Sequence, residues 1–159
     1  MTFDQAFDRL LGNEGGYCNS PNDPGGETNW GISKRSYPCV EIAHLTRDDA
    51  KAIYLRDFWQ RGRMDALPPA LAFQAFDAAV NHGIQTAICL VQRAAGVTDD
   101  GHIGPVTLAA LTGKSTTDLL MQFIAERLLF WTELSTWPSF GRGWARRAAA
   151  DLKYAAEDS

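Results

Sequence analysis

The stretch EGGYCNSPNDPGGETNWGIS, residues 14–33, decides how the chain folds after its first helical segment. It is rich in glycine, proline, asparagine and aspartate, which interrupt helices and favour tight turns. Short pieces at residues 17–18 and 28–32 carry side chains that suit β-strands. These features predict a small β-hairpin or paired loop, followed by a short helical turn near residues 32–37.

Apolar residues recur at helical spacing through most of the remaining chain. Thr46 and Asp49 give one of these segments a capping-box start. The predicted helices cover residues 2–13, 46–58, 68–83, 84–95, 105–111, 115–136 and 141–154. Because no repeat or low-complexity linker separates them, the sequence predicts one α-rich domain with a small β element.

Composition excludes several classes of protein. The chain has 159 residues, of which 45% are hydrophobic, so it is globular rather than disordered. Its net charge of −4 argues against nucleic-acid binding through bulk electrostatics. No apolar run approaches the length of roughly 20 residues that spans a membrane, so we expect no integral membrane segment. The N-terminus lacks the basic start of a signal peptide, and we expect synthesis in the cytoplasm without one.

The three cysteines, Cys18, Cys39 and Cys89, do not form the framework of a disulfide-rich protein. They are expected to be thiols in a reducing cytosol, although a Cys18–Cys39 pair stays open if the chain reaches an oxidising space. The three histidines share no metal-ligand spacing, so we predict no metal site and no cofactor.

Glu14 and Asp23 carry the chemistry that the sequence predicts. A carboxylate at the end of a helix faces the negative end of the helix dipole, which favours its protonated form. Asp23, in the turn PNDPGG, is expected to be solvated and ionised, and Thr28 offers a hydroxyl that could hold a water molecule. Two carboxyl groups in unlike environments suit the acid and base of glycosidic-bond hydrolysis. The residues alone leave a second interpretation open, an exposed helix end beside an inert turn.

The run at residues 14–33 resembles the N-terminal signature of glycoside hydrolase family 108, which contains muramidases of phage endolysins and bacterial relatives. The motifs FDAAVNHG at 76–83 and DGHIGPVT at 100–107 extend this resemblance over nearly the whole chain. It implies a mainly α, lysozyme-like α+β fold, a helical bundle with a small β-hairpin after the first helix. It further implies a catalytic region at 1–95 and a helical C-terminal region at 96–159 that resembles a peptidoglycan-binding region, packed as one compact domain.

The resemblance also assigns roles to residues. Glu14 matches the catalytic glutamate of the family's E-G-G-Y motif. The spacing of Glu14, Asp23 and Thr28 resembles the Glu, Asp and Thr triad of phage-type lysozymes, in which the gap between Asp and Thr is usually one residue longer.

Four further residues are candidates for binding a glycan. Trp30 and Tyr17 lie in the signature run, where an aromatic ring could stack on a sugar. Asp77 and Asn81 lie four residues apart on a mostly apolar helix. They could line the sugar groove, with Asn81 bonding an acetamido group, or they could brace a neighbouring element.

The resemblance therefore implies a peptidoglycan hydrolase of the endolysin type. It would cleave the β-1,4 bond between N-acetylmuramic acid and N-acetylglucosamine by general acid/base catalysis. We expect a monomer that acts on glycan strands in the periplasm or outside the cell, released by a holin or a secretion system. Two alternatives are a lytic transglycosylase acting on the same bond and a non-catalytic cell-wall-binding module. Whether the anomeric centre is inverted or retained stays open, because the carboxylate separation decides it.

Overall fold

The computed structural model describes residues 1–12, 16–19 and 26–159. Within these ranges the chain forms seven α-helices and one two-stranded antiparallel sheet. The helices are α1 (Phe3–Leu11), α2 (Arg47–Tyr54), α3 (Pro69–His82), α4 (Ile84–Ala95), α5 (Pro105–Thr112), α6 (Thr116–Thr132) and α7 (Trp137–Asp158), and the strands are β1 (Thr28–Asn29) and β2 (Ile32–Ser33). The predicted fold class, mainly α with a small hairpin after the first helix, is confirmed. No helix in this part of the chain is both long and apolar enough to cross a membrane.

The chain divides into two compact units, residues 2–59 and residues 60–159. This division follows packing alone. The predicted functional division, with a catalytic region at 1–95 and a wall-binding region at 96–159, stays a prediction.

The unit at residues 2–59 contains α1, the hairpin and α2. Both helices begin with a capping box: Thr2 caps α1 with Gln5, and Thr46 caps α2 with Asp49, the pair that the sequence predicts. Each box satisfies backbone N–H groups that have no partner within the helix. An aromatic cluster fills the space between the helices, formed by Phe3, Phe7, Tyr54, Phe58 and Trp59.

Two local predictions in this unit differ from the structure in detail. The helical turn predicted near residues 32–37 is present, with the Tyr37 N–H bonded to the Ser33 carbonyl at 3.0 Å, but it does not begin at Ile32, because Ile32 pairs with Asn29 of β1. The second helix also does not continue as an α-helix to residue 58. A π-helix occupies Leu55–Gln60 instead, and it places Trp59 in the core at 1% exposure.

The unit at residues 60–159 is a bundle built around α3, which is buried along almost all of its length. α3 packs against α4, α6 and α7. The segment DGHIGPVT forms the predicted turn into α5. The buried side chain of Gln92 holds this turn by accepting a hydrogen bond from the Gly101 N–H at 2.8 Å and donating one to the His102 carbonyl at 3.1 Å.

The last helix begins four residues earlier than its sequence predicts. Pro138 lies in its first turn, where the missing N–H costs no helical hydrogen bond. Gly141 is buried, and a Cβ there would lie 2.8 Å from carbon atoms of the Trp137 indole. Glycine therefore lets the tryptophan ring pack onto the next turn of its own helix.

Candidate functional site

The hairpin at residues 28–33 is the centre of the candidate site. Thr28 pairs with Ser33 and Asn29 pairs with Ile32, which leaves Trp30 and Gly31 as the two turn residues. Both have positive φ, 51° for Trp30 and 77° for Gly31. Positive φ at both central residues is the requirement of a type I′ turn, whose twist matches that of the strands. A tryptophan in this region is unusual, because the Cβ of an L-residue is strained there.

A short bridge joins this hairpin to the segment before it. Cys18 and Thr28 exchange two backbone hydrogen bonds, each 2.8 Å long. Thr28 is therefore paired with Cys18 on one side and with Ser33 on the other. Asp23 lies in the sequence between the two bridged residues.

Side chains next to the bridge also meet. The Tyr17 hydroxyl donates a 2.8 Å hydrogen bond to Oε1 of Glu27, and this bond is the main reason why the pKa of Tyr17 is raised. The Tyr17 ring is 51% exposed, so the contact holds an aromatic ring at the protein surface. The Thr28 hydroxyl is half-buried, and its hydrogen bond to the Gly26 carbonyl is long at 3.4 Å.

The other face of the hairpin is anchored to the 3₁₀ turn at Ile42–His44 and to α2. The Asn29 amide donates to the carbonyls of Ile42 at 3.0 Å and Leu45 at 3.1 Å. The Trp30 indole N–H donates to the same Leu45 carbonyl at 3.1 Å. The Tyr54 hydroxyl, from α2, donates to the Trp30 carbonyl at 3.3 Å. These contacts hold the turn in its strained conformation.

The two predicted catalytic carboxylates, Glu14 and Asp23, lie outside the described residues. Of the proposed triad, the structure therefore describes Thr28. Of the four proposed glycan-binding residues, Tyr17 and Trp30 flank Thr28 in the same unit, one exposed and the other half-buried.

Asp77 and Asn81 belong to the unit at residues 60–159. Asp77 is 3% exposed and forms ion pairs with Arg127, at 2.7 Å, and with Arg147. Burial opposes ionisation of this carboxyl group, but the Arg147 hydrogen bonds and the Arg127 charge hold its pKa below the ordinary value. Asn81 is exposed, and its amide donates to the Asp77 backbone carbonyl at 2.7 Å. Asp77 thus braces the bundle, while Asn81 presents an amide at the surface.

Asp151 and His82 complete the polar group around Asp77. Arg127 Nη1 also donates to Asp151 at 3.0 Å. Burial, followed by the Asp77 charge, raises the pKa of Asp151 to about 6. His82 Nε2 accepts a hydrogen bond from the Trp131 indole at 2.5 Å, and burial lowers the pKa of His82 to about 4. Its ring is therefore neutral at pH 7.

Two residues in and beside the hairpin, Asn29 and Glu27, were not predicted to belong to the site. A signal for Asn29 was available, because side chains of a strand alternate between faces and a neighbour of Thr28 must point to the opposite side. The partner of Glu27 had no comparable signal, since its bond to Tyr17 depends on the Cys18–Thr28 bridge. Among the residues described, no group of three or more His, Cys, Asp or Glu side chains is placed to hold a metal ion.

Comparisons with known proteins identify the family of the chain. The family model for glycosyl hydrolase 108 matches residues 7–83, which include the whole hairpin and the motif at 76–83. The chain is similar to the solved structure of SagA from Brucella abortus, with a TM-score of 0.87 and 31% sequence identity, over 99% of this chain and 95% of that one. No curated protein sequence matches the chain significantly. On the family match and this near full-length likeness, the chain belongs to the glycosyl hydrolase 108 family and is a glycoside hydrolase.

Proposed function

We propose that this glycoside hydrolase is an N-acetylmuramidase, which cleaves the β-1,4 bond between N-acetylmuramic acid and N-acetylglucosamine in peptidoglycan. One observation carries the proposal. The segment at residues 7–83 that matches the family contains Glu14 in the E-G-G-Y motif, followed by Asp23 and Thr28 at a spacing that resembles the triad of phage-type lysozymes, with the Asp-to-Thr gap shorter than is usual there. Membership in this family supports peptidoglycan as the substrate.

In the proposed mechanism Glu14 donates a proton to the glycosidic oxygen as the bond to the anomeric carbon breaks. Asp23, helped by the Thr28 hydroxyl, orients a water molecule and accepts its proton as the water oxygen bonds to that carbon. If the substrate approached too closely for a water molecule, Asp23 would instead stabilise the positive charge that develops on the sugar ring.

Three described side chains supply binding contacts in this proposal. The exposed Tyr17 ring, held by Glu27, and the half-buried Trp30 offer faces on which sugar rings can stack. Asn81 offers an exposed amide that could bond an acetamido group. Asp77 acts indirectly, because its backbone carbonyl holds the Asn81 amide.

We further propose that the protein is a monomer made in the cytoplasm and that it reaches the wall through a holin or a secretion system. It would then act on glycan strands in the periplasm or outside the cell. Size-exclusion chromatography with light scattering would test the monomer, and lysis of cells with and without a co-expressed holin would test the release.

The experiment for the activity is digestion of purified sacculi followed by mass spectrometry of the soluble products. The wild-type chain should release muropeptides that carry a reducing N-acetylmuramic acid end, with one water incorporated per cut. Glu14→Gln should abolish this release, and Asp23→Asn should lower it by about two orders of magnitude or more. Glu41→Gln is the matched control, because Glu41 is an exposed carboxylate of the same unit, 3.9 Å from Lys34, and should leave release unchanged.

Each alternative gives a different product. Products with anhydro ends instead of reducing ends would show that the enzyme is a lytic transglycosylase and not a hydrolase. Binding of sacculi without release of any soluble product would show that the chain is a non-catalytic wall-binding module. Full activity of Glu14→Gln would refute the proposed acid.

A further inference from the structure

We propose that Asn29 is a positioning residue, which fixes the strand that carries Thr28 so that the Thr28 hydroxyl meets the reacting water molecule. This role rests on the proposed function and concerns a residue to which the family motif assigns no role. It is carried by the hydrogen bonds on the buried face of the hairpin.

Thr28 and Asn29 are consecutive residues of β1, so their side chains point to opposite faces. The Asn29 side chain is buried at 6% exposure. Its amide nitrogen donates to two carbonyls, those of Ile42 at 3.0 Å and Leu45 at 3.1 Å. A primary amide has two N–H groups, and this geometry uses both of them.

The turn that follows is held from two directions. Trp30 donates its indole N–H to the Leu45 carbonyl at 3.1 Å, and Tyr54 donates its hydroxyl to the Trp30 carbonyl at 3.3 Å. A Cβ at Gly31 would collide with the Tyr54 hydroxyl, so the turn lies directly against α2. Because a slip of one residue would exchange the two faces of a strand, these contacts fix which side chain of β1 faces the substrate.

The Thr28 hydroxyl depends on this backbone for its direction. Its bond to the Gly26 carbonyl is 3.4 Å long. This is beyond the roughly 2.5–3.0 Å of ordinary O–H···O hydrogen bonds, so the bond holds the hydroxyl only weakly. The backbone of Thr28, in contrast, forms two 2.8 Å bonds with Cys18. Loss of the two hydrogen bonds from the Asn29 amide would therefore shift the strand, and the Thr28 hydroxyl would move with it. Catalytic groups tolerate very little displacement.

Removing the Asn29 amide should not unfold the unit. The Ile42 carbonyl also accepts from the Leu45 N–H at 3.2 Å, and the Leu45 carbonyl also accepts from the Trp30 indole. Each carbonyl therefore keeps one donor in Asn29→Ala, so neither is left buried without a partner. This property makes the positioning role testable.

The test is steady-state kinetics on a defined tetrasaccharide of alternating N-acetylglucosamine and N-acetylmuramic acid. Asn29→Ala should lower kcat by about 10- to 100-fold, while KM changes by less than about threefold, since a displacement near 1 Å costs rate rather than binding. In a Thr28→Ala background, the same substitution should lower kcat by less than about threefold, because there is no hydroxyl left to position. Tyr54→Phe removes the hydroxyl that donates to the Trp30 carbonyl. It should lower kcat by a smaller factor than Asn29→Ala, and this loss should likewise shrink in the Thr28→Ala background.

The matched control is Gln92→Ala, which removes a buried amide that holds a turn in the unit at residues 60–159. It should lower the melting temperature and leave kcat unchanged. An unchanged kcat in Asn29→Ala, or an equal loss with and without the Thr28 hydroxyl, would overturn the positioning role and leave the muramidase intact. A wild-type chain that cuts no tetrasaccharide while Glu14→Gln behaves identically would refute the proposed function, and the inference with it.

Discussion

The hairpin at residues 28–33 and the core between α3, α6 and α7 bury polar side chains in opposite ways. The hairpin uses neutral donors, Asn29 and the Trp30 indole, which bond to backbone carbonyls. The helical core uses charges, with Arg127 between Asp77 and Asp151. A neutral donor costs little to bury and does not titrate, whereas a buried charge costs several kcal/mol to desolvate and depends on its partner. The two regions should therefore respond differently to substitution and to pH.

The largest effect is expected from a substitution in the charged core. Arg127→Met would remove the guanidinium that donates a hydrogen bond to the Asp151 carboxylate, and it would remove one of the two positive charges beside Asp77. Breaking a buried ion pair from one side costs about 3–5 kcal/mol of unfolding free energy. Urea denaturation followed by circular dichroism measures this loss.

An exposed ion pair of the same unit is the control for that substitution. Arg93 and Asp99 lie 2.7 Å apart, with side chains 45% and 41% exposed. Asp99→Asn should leave the free energy of unfolding almost unchanged, because water screens the pair. Equal losses for Arg127→Met and Asp99→Asn would show that burial does not determine the contribution of these charges.

A smaller effect is expected on the neutral side, at the turn of the hairpin. Gly31 has a φ of 77°, and an added methyl group would collide with the Tyr54 hydroxyl. Gly31→Ala should therefore lower the free energy of unfolding by about 1–3 kcal/mol. Thermal denaturation of the full chain would measure it.

Gly143 offers a matched glycine in α7, where an added Cβ meets open space. Gly143→Ala should raise stability by about 0.5–1 kcal/mol, because alanine loses less backbone entropy in a helix. A stabilised Gly31→Ala chain would contradict the proposed packing of the turn against α2.

The smallest net effect is expected from pH. Asp151 has a folded pKa of about 6 against an ordinary value of 3.8, so its contribution to stability increases as pH falls from about 6 toward 3.8. His82 has a folded pKa of about 4 against 6.5, so its contribution decreases as pH falls from 6.5 toward 4. The two trends oppose each other, and the wild-type melting temperature should change little between pH 7 and pH 5.

Single variants separate these trends. Asp151→Asn removes the stabilisation that Asp151 gains on acidification, so the melting temperature should fall more steeply from pH 7 to pH 5 than in the wild type. His82→Gln removes the destabilisation that comes from protonating His82, and it keeps an acceptor for the Trp131 indole. The melting temperature of this variant should therefore rise from pH 7 to pH 5. Parallel pH profiles for the two variants would contradict the assigned pKa shifts.

Sequence patterns predicted most of the helices because the determinants are local. Thr46 caps α2 with Asp49 as predicted, and α4 covers the predicted residues 84–95. A small hairpin after the first helix was also predicted, and the two pieces proposed to pair, residues 17–18 and 28–32, meet at the Cys18–Thr28 bridge. The turn at Trp30 and Gly31, inside the piece taken as one strand, was not predicted.

Contacts between distant residues could not be predicted in this way. Asp77 meets Arg127 and Arg147, which lie 50 and 70 residues further along the chain, so its spacing to Asn81 gave no sign of them. The backbone conformation of Trp30 could not be predicted either. Its strain is offset by the bond from its indole to the Leu45 carbonyl and by the bond from the Tyr54 hydroxyl to its own carbonyl, and both form only in the folded unit. The catalytic roles of Glu14 and Asp23 stay predictions of the motif.

Because of its backbone conformation, residue 30 should change differently under selection for stability and under selection for activity. Asparagine and glycine accept a φ near 51° with less strain, so a screen for heat tolerance alone should recover them there. Such replacements would discard the indole ring and its bond to Leu45. If glycan hydrolysis needs that ring, laboratory evolution for thermal stability should replace Trp30, whereas evolution for catalytic activity should keep it.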